Sequence, residues 1–335
     1  MLILGIETSC DETSVALVKD GTNVLRHELA TSAGFHERTG GIVPEVGARQ
    51  QILAIMPTIQ EVMKGYSEDA IDAIAVTIGP GLIGSLMVGV ETAKALAWSW
   101  EKPLIPVDHV VAHLYADWLD GKTPELPAIG LVVSGGHTEF LYIKDHGDIT
   151  FLGSTRDDAA GEAFDKIARL LGLPYPGGPQ IEQLAKKGNP TKINLPRPML
   201  NEDTIEMSFS GLKTAVRLAE QDKNNSREDI AASFQQAVID VLVGKTEKAL
   251  EQVEAKSLLI AGGVAANKAL AEALTTRFEN EVDVHISGLT LSVDNAAIIA
   301  TYAYYNNKPK EIKNVVADPL YHARLVGTSR NKKIN

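Results

Sequence analysis

Three absences bound the chain before any motif is read. It has a single cysteine, Cys10, in 335 residues, which excludes an intrachain disulfide and fits a reducing compartment. It has no uncharged apolar run near the roughly 18 residues that a spanning helix requires. Its first residues, MLILGIE, lack a basic leader segment and meet Glu7 at once, so neither a signal peptide nor a membrane anchor is expected. Positive charge is also scarce: 32 Lys and Arg against 43 Asp and Glu leave a net charge of −11. Phosphate contacts need Lys and Arg, so this balance argues against a non-specific nucleic-acid binder, while a local basic cluster could still serve a specific contact. The densest such stretch runs from Lys186 to Arg217. The expected location is the cytoplasm.

What is present is a foldable composition, 44% hydrophobic and 22% charged, long enough for two domains or one bilobed unit. The chain also repeats its own plan. LILGIETSCDETSVALVKDG at the start and AIGLVVSGGHTEFLYIKDHG from Ala128 are each an apolar strand, a small polar turn and an alternating strand, which reads as a β-hairpin. Amphipathic helices (ARQQILAIMPTIQEVMKG, SLMVGVETAKALAWSW) flank the buried strand IDAIAVTIGPG after the first hairpin. AGEAFDKIARLLGL, a long helix around DIAASFQQAVIDVLVGKTEKALEQV and the strand SLLIAGGV follow the second. Two such units predict two similar mixed-sheet α/β lobes around a cleft. The turns ETSCDET and SGGHTE and the strand end LIAGGVAANKAL suit the phosphates of a nucleotide, because backbone N–H groups and a helix N-terminus stand open there.

Chemistry-bearing residues concentrate in a few places. His109 and His113, at i and i+4, lie about 40° apart around a helix and about 6 Å along it, so both imidazoles can reach one ion; surface or core histidines are the plain alternative. A zinc protease would need HExxH, with the Glu as general base; Val110 stands there instead, which argues against peptide hydrolysis. Asp11 and Glu12 sit in the first turn, where carboxylates beside a phosphate call for a cation or a proton transfer, although Asp also favours turns in general. Cys10 beside them reads as a small packed residue, with no histidine near in sequence to activate it. Lys213 and Arg217 in SFSGLKTAVR fit a capped amphipathic helix and a contact with a nucleic acid or another protein equally well.

The order of elements resembles the actin/Hsp70/sugar-kinase superfamily. Within it, GIETSCDET, GGIVPE, GPGLIGSL, HVVAH, VSGGHTE, DDAAGEAFDK, YPGGP, SFSGLKTA, AGGVAAN and SVDNAA together resemble the bacterial branch of the tRNA N6-adenosine threonylcarbamoyltransferase family, from residue 5 to 297. The resemblance implies a two-lobed fold of that superfamily, with one lobe from residues 1–107 and about 295–325, the other from 108–294, and a flexible tail over 326–335. It implies Asp294 as the third metal ligand beside His109 and His113, and one divalent metal per chain, iron(II) ahead of zinc. Archaeal members add a tyrosine ligand where this chain has Val132. Asp11 and Glu12 match the catalytic pair. Val132, Val133, Ser134, Gly135, Gly136 and His137 match a substrate-binding segment. Asp165 matches a ribose-binding residue, Gly178 and Glu182 follow it, and Asn267 matches an adenosine-site residue that can equally cap a helix. The implied reaction moves a threonylcarbamoyl group from threonylcarbamoyl-AMP to an adenosine in the tRNA anticodon loop. The implied partners are an inactive paralogue of the same fold, as a heterodimer, and a small ATPase, with no membrane. Rival functions within the superfamily are a small-molecule kinase, an O-carbamoyltransferase or a non-enzymatic actin-like ATPase.

Overall fold

Two apolar runs of six residues, β1 (Leu2–Glu7) and β6 (Ala128–Val133), seed two sheets of identical plan in the computed structural model, which describes residues 1–31, 43–119, 121–288 and 294–322. Each run lies third in its sheet, between two neighbours, and so is apolar except for Glu7 at the end of β1. β1 pairs antiparallel with β2 (Glu12–Lys19), which pairs antiparallel with β3 (Asn23–Thr31). On its other side β1 runs parallel to β4 (Ala73–Gly79), and β4 to β5 (Leu104–Asp108). The order is β3-β2-β1-β4-β5. The second sheet repeats this with β7 (Thr138–Asp145), β8 (Asp148–Ser154), β9 (Ser257–Ala261) and β10 (Asp283–Ile286), in the order β10-β9-β6-β7-β8.

The expected hairpins are therefore the first two strands of three-stranded meanders. The third strand, NVLRHELAT in the first unit, is exposed at most positions and carries charge. Its edge position lets it do so, and an apolar-periodicity search passes over it. Parallel neighbours need crossover connections, usually helical. Pro44–Val62 and Ile83–Ser99 supply them in the first unit. Ala160–Leu170, Gly177–Ala185, Ser210–Gln221, Arg227–Gln252 and Lys268–Phe278 do so in the second. Each sheet has its own core, around Leu4, Ile6, Val76 and Val90 in the first and Ile129, Phe140, Phe164 and Phe234 in the second.

Contacts divide the chain into two units. One runs up to Thr123 and resumes with the described residues from Asp294; the other begins at Pro124 and extends, among the described residues, to Gly288. This break differs from the boundary expected at 107/108, and side-chain packing explains why. Tyr115 stacks on Trp118 at 4.9 Å and meets Tyr302 edge-on at 5.1 Å, while Asn306 Nδ2 donates to the Tyr115 hydroxyl at 2.9 Å. These contacts tie the short helices His109–His113 and Ala116–Leu119 to the helix Ala296–Tyr305 of the first unit. The tail expected at 326–335 and the GGIVPE motif up to Ile42 lie outside the described residues. Among the described residues no helix is long and apolar enough to cross a membrane.

Candidate metal centre and glycine-turn sites

β5 ends at Asp108, and that residue builds the start of the histidine helix. Its Oδ1 accepts from the amides of Val110 at 2.9 Å and Val111 at 3.1 Å, an N-cap. Its Oδ2 lies 2.9 Å from His322 Nδ1. The capped turn sets His109 and His113 side by side, ring centroids 4.7 Å apart and nearly perpendicular. Asp294 is delivered by a different element. Asn295 caps the helix Ala296–Tyr305 by accepting from Ile298 N at 3.1 Å, and Ala296 N donates to Ser14 Oγ at 2.9 Å. Gly5 on β1 permits this approach, since a Cβ there would stand 2.3 Å from the Ala296 carbonyl oxygen.

The result is a three-donor cluster. Asp294 Oδ1 lies 3.4 Å from the Nε2 of each histidine, and the two Nε2 atoms are 3.3 Å apart. Donors about 2.0–2.1 Å from a tetrahedral ion stand about 3.3–3.4 Å from one another, so the three residues fit a divalent metal and leave a position open. His109, His113 and Asp294 thus form a site that can hold a metal ion. Burial opposes charge here, but the electrostatics outweigh it. His109 holds the Asp294 carboxyl well below the usual range, and Asp294 with Glu7 holds His109 well above the usual histidine value.

Glu7 is the residue that sequence reasoning missed. It closes β1 at 1% exposure, and its Oε1 accepts from Ser9 N at 2.5 Å. Its Oε2 accepts from the Thr77 hydroxyl and lies 3.2 Å from His109 Nδ1. The available signal was an ionisable residue ending a buried apolar strand.

The turn from Thr8 to Asp11 is held from outside. Gln51, 1% exposed, aims its Nε2 at the carbonyls of Glu12 (2.8 Å), Cys10 (3.1 Å) and Thr8 (3.4 Å). Leu82 N donates to Ser9 O at 2.8 Å, and Thr8 Oγ1 to Ser85 O at 2.9 Å, so the start of the helix Ile83–Ser99 fixes the turn too. Burial pushes the Glu12 carboxyl up to about 7, helped by the negative charges of Asp294, Asp11 and Glu7. Burial and the same acidic neighbours, Asp11 and Asp294, push the Cys10 thiol up, which keeps it protonated and a poor nucleophile.

In the second unit, Val132 and Val133 are buried strand residues, and the turn begins at Ser134. Ser134 Oγ accepts from Gly136 N (3.3 Å) and His137 N (3.0 Å). The helix Ala160–Leu170 and the end of β9 both press on this turn: a Cβ on Gly161 would stand 2.6 Å from Ser134 O, and one on Gly262 2.5 Å from Val133 O. The added Cβ of Gly135, Gly136, Gly178 or Gly263 would meet nothing within 4 Å, so these backbones face open space. Asp165 Oδ1 accepts from Gly177 N at 2.7 Å, at the start of the helix that carries Gly178 and Glu182. Burial raises the Asp165 carboxyl. Glu182 pairs with Lys186 at 3.6 Å. Asn267 is committed to structure: Oδ1 caps by accepting from Leu270 N (3.0 Å), and Nδ2 donates to Gln235 Oε1 (2.9 Å). The helix Ser210–Gln221 is capped by Asp157, which accepts from Phe209 N (2.8 Å), Ser210 N (3.2 Å) and Ser210 Oγ (2.7 Å). Lys213 and Arg217 on that helix are exposed.

Comparison with known proteins places the chain in a family. The profile of the family described as tRNA N6-adenosine threonylcarbamoyltransferase matches residues 23–301. A curated protein of that name from Bacillus anthracis is 49% identical over 319 residues, 92% of each chain. Another from Moorella thermoacetica is 50% identical over 313 residues, 90% of this chain and 91% of that one. Among solved structures, HypF of T. kodakarensis superposes with a TM-score of 0.62 at 15% identity, covering 90% of this chain and 47% of that one. Component A of (R)-2-hydroxyglutaryl-CoA dehydratase from Acidaminococcus fermentans gives 0.54 at 16%, covering 91% and 98%. Those two likenesses concern the fold alone, which is that of the actin/Hsp70/sugar-kinase class. The chain itself, by its profile match and its near-half identity to curated relatives along most of both lengths, belongs to the tRNA N6-adenosine threonylcarbamoyltransferase family.

Proposed function

We propose that the chain transfers the threonylcarbamoyl group of threonylcarbamoyl-AMP to N6 of the adenosine 3′ of the anticodon, in tRNAs reading codons that begin with A. Its product is N6-threonylcarbamoyladenosine, and AMP is released. The observation that carries the proposal is the intact donor triad His109, His113 and Asp294 in a chain of this family.

An exocyclic adenine amine is a weak nucleophile because its lone pair is delocalised into the ring, so the electrophile has to be activated. His109, His113 and Asp294 would hold a divalent metal, iron(II) in our reading with zinc as the alternative, which would supply Lewis-acid activation of the electrophile. In the step itself a bond forms between N6 and the carbamoyl carbon, and the bond from that carbon to the phosphate oxygen breaks. AMP leaves with the electron pair. Glu12, with its carboxyl near neutrality, takes the proton from N6, and Asp11 orients it. The segment Val132–His137 receives the phosphate, and the open glycine backbone of its turn from Ser134 steadies the charge that develops there. Asp165 takes the ribose, while Gly178, Glu182 and the helix start at Asn267 complete the adenylate site. The tRNA anticodon loop docks with the help of an inactive paralogue in a heterodimer and a small ATPase, since a chain of net charge −11 steers poorly toward RNA on its own. Its place is the cytoplasm, where tRNA and a reduced Cys10 belong.

Incubation of the chain and its partners with unmodified tRNA, labelled threonine, bicarbonate, ATP and the adenylate-forming synthase tests the proposal. The expected result is label in N6-threonylcarbamoyladenosine after nuclease digestion, and its loss with His109→Ala. Label that never enters tRNA, or that goes to a hydroxylated small molecule instead, would overturn it.

A further inference from the structure

We infer that Glu7 is a positioning residue for the metal centre: its buried carboxylate accepts Nδ1–H of His109 and so fixes the tautomer whose Nε2 lone pair faces His113 and Asp294. The inference rests on the metal reading above. An ionised carboxylate at 1% exposure, at the end of a buried strand, is costly unless its oxygens are satisfied. Here every contact is arranged toward one imidazole. Ser9 N holds Oε1, the Thr77 hydroxyl holds Oε2, and these two donors aim the free side of Oε2 at His109 Nδ1, 3.2 Å away. Thr77 lies on β4, the strand next to β1, so the sheet pairing itself sets the carboxylate's direction.

The alternatives at Nδ1 are weaker. Ser9 Oγ lies 3.4 Å from it, and a hydroxyl can donate or accept, so it cannot choose a tautomer. The contrast with the other histidine is instructive. His113 Nδ1 is buried and has no hydrogen-bond partner among the described residues. One ligand is thus oriented by a carboxylate behind it, an outer-sphere pattern that tunes metal affinity, and the other is held by packing. Glu7 therefore acts on the metal through His109 and does not itself touch substrate.

The test uses the full chain, stripped of metal and titrated with Zn²⁺ against a chelating dye. Glu7→Gln keeps the size and an acceptor for Ser9 N, yet its amide can present N–H to Nδ1 and favour the wrong tautomer. The expected outcome is Zn²⁺ binding about 10–100-fold weaker than in the unaltered chain. A merely structural role would lower the melting temperature and leave the affinity of the folded fraction unchanged. Should Glu7→Gln fail to fold, the unaltered chain still decides the matter. Nitrogen-15 NMR of the Zn²⁺-loaded protein should show His109 metal-bound through Nε2 with a slowly exchanging proton on Nδ1. Zn²⁺ affinity within twofold for Glu7→Gln, or ligation through Nδ1, would overturn the inference. An unaltered chain that binds no Zn²⁺ would overturn the metal reading as well.

Discussion

Glu12 shows how much a single side chain takes from its surroundings. Its carboxyl is raised from the ordinary glutamate range to about 7 by burial first and by three nearby carboxylates second. A folded-state value above the unfolded one means that ionisation opposes folding. That contribution is absent well below pH 4.5 and grows as pH climbs to about 7. Metal-free Glu12→Gln should therefore match the unaltered chain at pH 4 and be the more stable of the two at pH 8, as urea unfolding at both values would show. Equal stability at pH 8 would mean that Glu12 titrates like an exposed carboxylate. At this scale the sequence was uneven in what it disclosed. His109 and His113 are legible because helical periodicity alone puts them on one face. Asp294 is not legible by spacing, since the whole second unit intervenes in the chain and no local pattern marks it; only family resemblance supplied it. Glu7 escaped notice because its meaning arises from Thr77 and His109, which reach it through sheet pairing and a helix cap.

Elements matter here through how closely they approach one another. The helix Ala296–Tyr305 lies on β1 over Gly5, where a Cβ would meet the Ala296 carbonyl oxygen at 2.3 Å. Gly5→Ala should cost about 1–3 kcal/mol of stability and weaken Zn²⁺ binding, because Asp294 immediately precedes the start of that helix. Gly178→Ala meets open space and should change stability by no more than about 0.5 kcal/mol, while weakening adenylate binding. Thermal melts and Zn²⁺ titration of the two variants separate packing from ligand approach. The helix Pro44–Val62 acts through Gln51, whose amide serves the carbonyls of Thr8, Cys10 and Glu12. Gln51→Ala strips that donor from buried acceptors and should cost about 1–3 kcal/mol, with slower transfer from a loosened Asp11–Glu12 turn; unfolding midpoints and single-turnover rates measure both. The hairpin halves were readable from alternating apolar residues. β3 was not, because an exposed charged edge strand has no apolar period to detect. The contacts divide the chain after Thr123 for a related reason: Tyr115 and Trp118 bind the histidine segment backward to the first unit, and local sequence cannot show which helix an aromatic pair will face.

The whole molecule is a duplication, each sheet repeating the other strand for strand. The repeat was visible in sequence because both central strands and both turns keep the same plan. A net charge of −11 gives such a chain little electrostatic reach toward tRNA, so the isolated protein should bind tRNA weakly at about 0.15 M salt, with a shallow salt dependence. Filter binding at several salt concentrations checks this; nanomolar affinity without partners would contradict it. The central claim is that His109, His113 and Asp294 hold a metal the transfer requires. The most direct measurement is single-turnover transfer from preformed threonylcarbamoyl-AMP to tRNA, by metal-stripped protein with the proposed paralogue and ATPase as metal is added back. The account predicts that rate recovers with one metal per chain and falls at least about 100-fold in His113→Ala at unchanged tRNA binding, within the range for loss of a catalytic electrostatic group. Full transfer by metal-stripped protein, or by His113→Ala, would contradict it.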